Sequence, residues 1–265
     1  MRVIRMIGLF ICAAFVWAAE MPKLSLPEQE EFLKTAKVIR TKAAVGGITG
    51  SLRATMSDGK ITHDAQIQQV DEAKTRFEGS RGVEMNFRDT YKFNVAGYRL
   101  GKLLGLNMIP ASVERSYKGS GAAFTWWVDD VMMDEAGRIS KKLSAPDPDN
   151  WNDQMYVVRV FDQLIFNTDR NLGNLLITKE WQLWMIDHTR AFRISHDLLM
   201  AKNLVKCERS LLGAMRKLNA AELKAVMGDA ITSSEQQGIL KRRDKIVAVF
   251  EKLGEGSLYT LAVRP

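Results

Sequence analysis

VFDQLIFNTDRNLGNLLITKEWQLWMIDHTRAF, Val160 to Phe192, reads as a helix, a loop and a hairpin in succession. Apolar spacing predicts a helix over Met155 to Phe166. Asn167, Asp169, Asn171 and Gly173 then favour turns over continued helix. Leu175 to Thr178 is expected as one strand, Lys179-Glu180 as its turn, and Trp181 to Ile186, alternating in part, as the partner strand. Such a hairpin carries Asp169 and Asn174 on its entering loop and Asp187 at its exit. Three oxygen-bearing side chains therefore gather at one end of a small sheet.

Those residue types suit phosphoryl transfer, which asks a protein for little covalent work. It needs a carboxylate to orient or deprotonate an acceptor, and oxygen ligands to hold magnesium against nucleotide phosphates. Magnesium is a hard cation that keeps several waters, so one amide oxygen and one carboxylate suffice as protein ligands. Turn chemistry alone can also crowd Asp, Asn and Gly into a loop, which leaves a purely structural loop as the competing reading.

Asn167-Thr168-Asp169-Arg170, the following Asn174, and Ile186-Asp187 with Ala191-Phe192 behind them resemble the catalytic and metal-binding loops of the phosphoinositide-kinase-like atypical kinases. The wording is similar to that of type II phosphatidylinositol 4-kinases and actin-fragmin kinase, with HipA-like kinases and the secretory-pathway Golgi casein kinases as more distant relatives. The resemblance covers about Gly46 to Phe192. It implies an α+β, two-lobed protein-kinase-like fold with a small β-rich lobe over residues 20–145 and a mainly helical lobe over 146–265. It further implies ATP and Mg2+ as cofactors, Asp169 as catalytic base or acceptor-orienting residue, and Asn174 and Asp187 as metal ligands. His188-Thr189-Arg190 stand where that group usually has a glycine after the metal-binding Asp.

The amino-terminal half supplies candidates for the rest of a nucleotide site. Gly46-Gly47-Ile48-Thr49-Gly50-Ser51 is a small-residue turn ahead of a strand, Leu52 to Met56; Asp58-Gly59 signals a hairpin, and Thr62 to Val70 is its partner. Gly47 and Gly50 could let backbone N–H groups approach phosphates, or could merely permit positive φ. Lys74, on the next strand, is the candidate phosphate-binding lysine, with Lys92 as its rival. Tyr91 to Leu106 has helical apolar spacing, and by resemblance to the type II lipid kinases Leu106 to Glu114 is expected as the strand behind it. By resemblance a Glu in that helix should pair with the lysine, yet Asn94 holds the matching place; Glu84 or Asp89 is then the expected acidic partner. Ala122 to Val131 reads as an aromatic strand, by resemblance the one leading to the hinge between lobes and otherwise a plain core strand; Pro146 to Asn150 reads as the passage to the helical lobe.

Leu198 to Leu218, Ala220 to Met227 and Ser233 to Leu253 are expected helices, and Lys241-Arg242-Arg243-Asp244-Lys245 reads as a solvated basic face, with contact to an anionic partner as the alternative. The chain has 265 residues, 46% of them hydrophobic, and a net charge of +7 spread along its length. That balance favours acidic partners such as nucleotides, but no aromatic-basic stripe argues for nucleic acid. Three His and two Cys exclude a zinc cluster, and neither a Walker A loop nor a G-x-S-x-G elbow occurs. Arg2 and Arg5 precede an apolar run, Met6 to Trp17, which reads as a signal peptide over 1–19 and implies export; an uncleaved membrane anchor is the alternative. The expected partners are a nucleotide and a protein, lipid or small-molecule acceptor, with contact at a membrane surface allowed and a monomer expected. Three functional readings stand: an atypical kinase, a kinase-fold binding or regulatory protein without catalysis, and a nucleotidyl (AMP) transferase on the same fold.

Overall fold

The computed structural model describes residues 24–44, 50–79 and 82–261. The proposed signal peptide and Gly47 lie outside them. The amino-terminal region is built from helix α1 (Leu26–Thr35), strands β1 (Lys37–Ala43), β2 (Leu52–Ser57) and β3 (Thr62–Gln68), and a long hairpin of β4 (Asp71–Gly79) and β5 (Gly82–Thr90). Helix α2 (Lys92–Leu103) and strands β6 (Ser112–Tyr117) and β7 (Ser120–Trp126) complete it. Five of these strands form one sheet in the order β1-β2-β3-β7-β6, with antiparallel neighbours throughout. The β4–β5 pair is a separate ribbon.

Strand β8 (Val131–Asp134), the short α3 (Glu135–Ser140) and the long α4 (Pro148–Ile165) follow. Next come β9 (Leu175–Thr178) and β10 (Leu183–Met185), which pair as the expected hairpin; β8 adds to the other side of β9. β8 thus precedes the boundary expected after residue 145 yet belongs to the sheet of the second half. The chain ends in β11 (Cys207–Glu208), α5 (Arg209–Lys217), α6 (Ala220–Met227), α7 (Ser233–Leu253) and β12 (Leu258–Tyr259). The architecture is α+β, β-rich at the amino-terminal side and helical at the other, as expected.

Local chemistry explains the boundaries. α4 starts where Asp147 accepts the N–H groups of Asp149 and Asn150, with Pro148 preset for the first turn. It stops at Phe166, whose φ of 50° is left-handed. β6 begins only at Ser112, later than expected, because Pro110 has no N–H to give a ladder. The expected strand over Ala122 to Val131 divides after Trp126, and Asp130 turns the chain at φ 55° so that Val131 pairs with Thr178. The long helix expected over Leu198 to Leu218 is confined to α5: Glu208 accepts the Leu211 N–H and so sits at the helix start rather than inside it. One core runs through both halves. Phe93 of α2 and Phe192, each fully buried, meet at a ring-centroid distance of 5.4 Å, and burial of each side chain contributes roughly 1.5–3 kcal/mol.

Candidate active site

Asn167, Asp169 and Arg170 leave α4 in a loop braced by one carboxylate of that helix. Asp162 accepts from the Asn167 side-chain amide at 3.1 Å, and from Arg170 through Nε at 3.0 Å and Nη2 at 3.1 Å. Arg170 Nη1 then donates to the backbone carbonyls of Asn174 (3.1 Å) and Ile186 (2.7 Å). Asn167 in turn accepts the backbone N–H of Asp169 at 3.0 Å. One ion pair, 12% exposed on either side, thus fixes the backbone of Asn174 and the residues next to Asp169 and Asp187.

Asn174 closes a short 3-10 turn, and its carbonyl also accepts the Ile186 N–H at 3.1 Å, continuing the β9–β10 ladder past its last pair. Asp187 is the next residue out. Its φ of 54° is a left-handed conformation that Asp tolerates better than most residues. Its carboxylate accepts from Thr189 Oγ1 at 3.1 Å. Burial pushes its pKa up from the usual carboxylate value, and it forms no ion pair among the described residues. A carboxylate withdrawn from water with no basic partner is suited to a metal cation. The Asn174 side-chain amide makes no hydrogen bond among the described residues, which leaves its oxygen available. No group of three or more His, Cys, Asp or Glu could hold a metal among the described residues. One amide oxygen and one carboxylate are the donor types that suit magnesium, a hard cation that keeps several waters.

Asp169 presents a side chain that is 43% exposed, with Arg190 Nη1 at 3.9 Å from its Oδ2. The hydroxyl and N–H of Thr168 both reach the Arg190 carbonyl, tying the two loops together. Arg190 is itself held by Asp89 at 2.8 Å. His188 packs under α2, where a Cβ on Gly97 would lie 3.1 Å from its ring; burial drives its pKa well down, so the imidazole is neutral. Asp187 and His188 line a small cleft with Gln66, Ser112 and Thr125 of the five-stranded sheet. A cavity of about 390 Å³ lies elsewhere, behind α2 near Glu30, Tyr98 and Arg99, so the chemistry rather than the volume marks the site.

The structure brings Asp169, Asn174 and Asp187 to one end of the hairpin; the other candidates lie apart. Lys74 is on the β4–β5 ribbon rather than the main sheet, half-exposed, paired with Glu72 at 2.9 Å. Glu84 does not meet it: the acidic partner expected for the lysine is ion-paired with Arg193 at 2.5 Å. Asp89, the other acid considered, pairs with Arg190. Gly50 adopts φ +66° at the head of β2. Residues that the sequence reading passed over are Asp162, Arg190 and Gln68, and the last donates no charge: its side-chain oxygen accepts from Asn94. The signal for Gln68 was alternation, since Gln66 and Gln68 share the face of β3 opposite the buried Ala65 and Ile67.

No protein-family model matches the chain, and no curated protein matches it in sequence. Solved structures do. Hydra Fam20, solved with sugar, superposes with a TM-score of 0.66 at 13% identity, covering 90% of this chain and 93% of that one. A golgi casein kinase gives 0.61 at 12% identity, covering 89% and 77%. The Helicobacter pylori proinflammatory kinase CtkA gives 0.51 at 11% identity, covering 82% and 93%. At these identities the likeness establishes an atypical-kinase-like fold.

Proposed function

We propose that this kinase-fold protein is an atypical kinase that transfers the γ-phosphate of ATP to a protein or small-molecule hydroxyl. The observation that carries the reading is the convergence of Asp169, Asn174 and Asp187 on the open end of the β9–β10 hairpin, braced from within by Arg170. Asn174 and Asp187 would hold magnesium, which would offset the negative charge on the transferred group. Asp169 would receive the acceptor's proton. As the acceptor oxygen bonds to the γ-phosphorus, the bond from that phosphorus to the β,γ-bridging oxygen breaks, and its electron pair leaves with ADP. The likeness to a golgi casein kinase supports an exported protein as part of the same proposal.

A second reading, nucleotide binding without turnover, is favoured by the neutral Gln68–Asn94 contact. A thermal-shift series decides first, using ATP with and without magnesium on the natural chain and on Asp187→Ala. Saturation at about 100 times Kd should raise stability by about 2.7 kcal/mol. A magnesium-dependent shift lost in the variant supports the site; phosphoryl transfer that vanishes in Asp169→Asn then selects the kinase. Absence of a shift in the natural chain overturns both readings.

A further inference from the structure

In ordinary protein kinases a strand lysine pairs with a helix glutamate beside the nucleotide phosphates. Here Gln68, the last residue of β3, faces Asn94 in the first turn of α2. Both are buried, at 1% and 4% exposure. Asn94 Nδ2 donates to Gln68 Oε1 at 2.6 Å, and Asn94 Oδ1 accepts the His188 backbone N–H at 2.7 Å. The direction of this chain is forced. A peptide N–H can only donate, so the Asn94 oxygen must face His188 and its NH2 must face Gln68.

We propose that Gln68, Asn94 and the His188 peptide form an uncharged clamp that fixes the segment after Asp187 to α2 before a nucleotide arrives, leaving nucleotide affinity strictly dependent on a divalent cation. The proposal rests on the nucleotide-site reading above. An ammonium at the Gln68 position would attract phosphates with or without metal, whereas an amide offers only a neutral dipole. A polyanion entering a partly desolvated cleft needs opposite charge. The nearby guanidinium groups are already engaged: Arg170 with Asp162 and two carbonyls, Arg190 with Asp89. The positive charge therefore has to arrive with the ligand, at Asn174 and Asp187. Asn94 and Gln68 act through the His188 peptide and are positioning residues.

Calorimetric titration of ATP into the natural chain, once with magnesium and once with EDTA, is the direct test. Affinity should fall by roughly 100-fold or more in EDTA, while the Gln68→Lys/Asn94→Glu double variant, with an ion pair restored, should show a fall of roughly tenfold or less. Hydrogen exchange on the ligand-free natural protein adds a readout free of nucleotide: the His188 amide should be protected, and should lose that protection in Asn94→Ala. Equal ATP affinity with magnesium and EDTA would overturn the inference and leave the nucleotide site standing. A freely exchanging His188 amide in the natural protein would overturn the clamp. Binding under neither condition would bring down the nucleotide reading and the inference together.

Discussion

Arg170 lies edge-on against Asp162, eight residues earlier in the chain, and uses the rest of its guanidinium on the carbonyls beside the two metal-ligand candidates. The planar fork does both at once, which a lysine could not. Asp-Arg in this loop is therefore two residues in different settings: the acid is partly exposed at the proposed site, and the base faces inward to the frame.

Replacing Arg170 with Met leaves Asp162 buried without its cation. The expected loss is about 3–5 kcal/mol in urea denaturation, because the pair is largely withdrawn from solvent. Arg170→Lys should recover part of that stability while turnover stays depressed, since a single ammonium cannot reach Asp162 and both carbonyls.

Asp169→Asn should leave folding and magnesium-dependent ATP binding close to the natural values. Its side chain is partly exposed and sits outside the Asp162 network, apart from its backbone N–H. Steady-state kinetics should show kcat lowered by about 10²–10⁴-fold with KM for ATP little changed.

Arg242 is fully buried in α7, where it donates to the carbonyls of Leu164, Arg193 and Ser195. Burial lowers its pKa to about 10, which still leaves it charged at neutral pH. Arg242→Met should cost roughly 1–3 kcal/mol by leaving those carbonyls without a donor, read as a lower Tm. Gly238→Ala should be costly on steric grounds, since the added Cβ would stand 2.8 Å from the Arg242 guanidinium and 3.0 Å from the Arg193 carbonyl.

Cys207 is buried, and burial raises its thiol pKa to about 12. A raised value means the protonated form persists through the neutral range, and the thiolate is the reactive species. A thiol reagent at pH 8 should leave Cys207 untouched in the native protein and modify it once denaturant opens the core.

The hairpin around Leu175 to Met185, helix α2, and helices α6 and α7 were legible because each has a strong period and a clear stop signal; Ala220–Met227 and Ser233–Leu253 match the expected spans. The convergence of Asp169, Asn174 and Asp187 followed from hairpin geometry alone. Arg242 was not legible, because a basic triplet on a helix looks solvated until another segment's carbonyls are known to cover it. The β4–β5 ribbon was hidden for a related reason. Its strands are mostly exposed, so they lack the half-buried alternation that marks a strand in sequence, and Lys74 could not be assigned to a side sheet from local pattern. The Gln68–Asn94 contact spans 26 residues and two neutral amides, which no local motif announces.

The ribbon also alters the mechanics of the molecule. Its Arg88 reaches Glu235 at 2.5 Å, the same carboxylate whose other oxygen accepts the Thr232 N–H at the head of α7, and Thr90 donates to the Thr189 carbonyl. With the Asp89–Arg190 ion pair and the Asn94–His188 hydrogen bond, these contacts join the two halves at several points besides the Trp127-to-Asp130 crossover. A body joined at one point can gape; a body joined at several opens only when those contacts break. Under the proposed function, widening the cleft for a nucleotide would require Arg88 to release Glu235, so the cap of a distant helix would act as a brake on that motion.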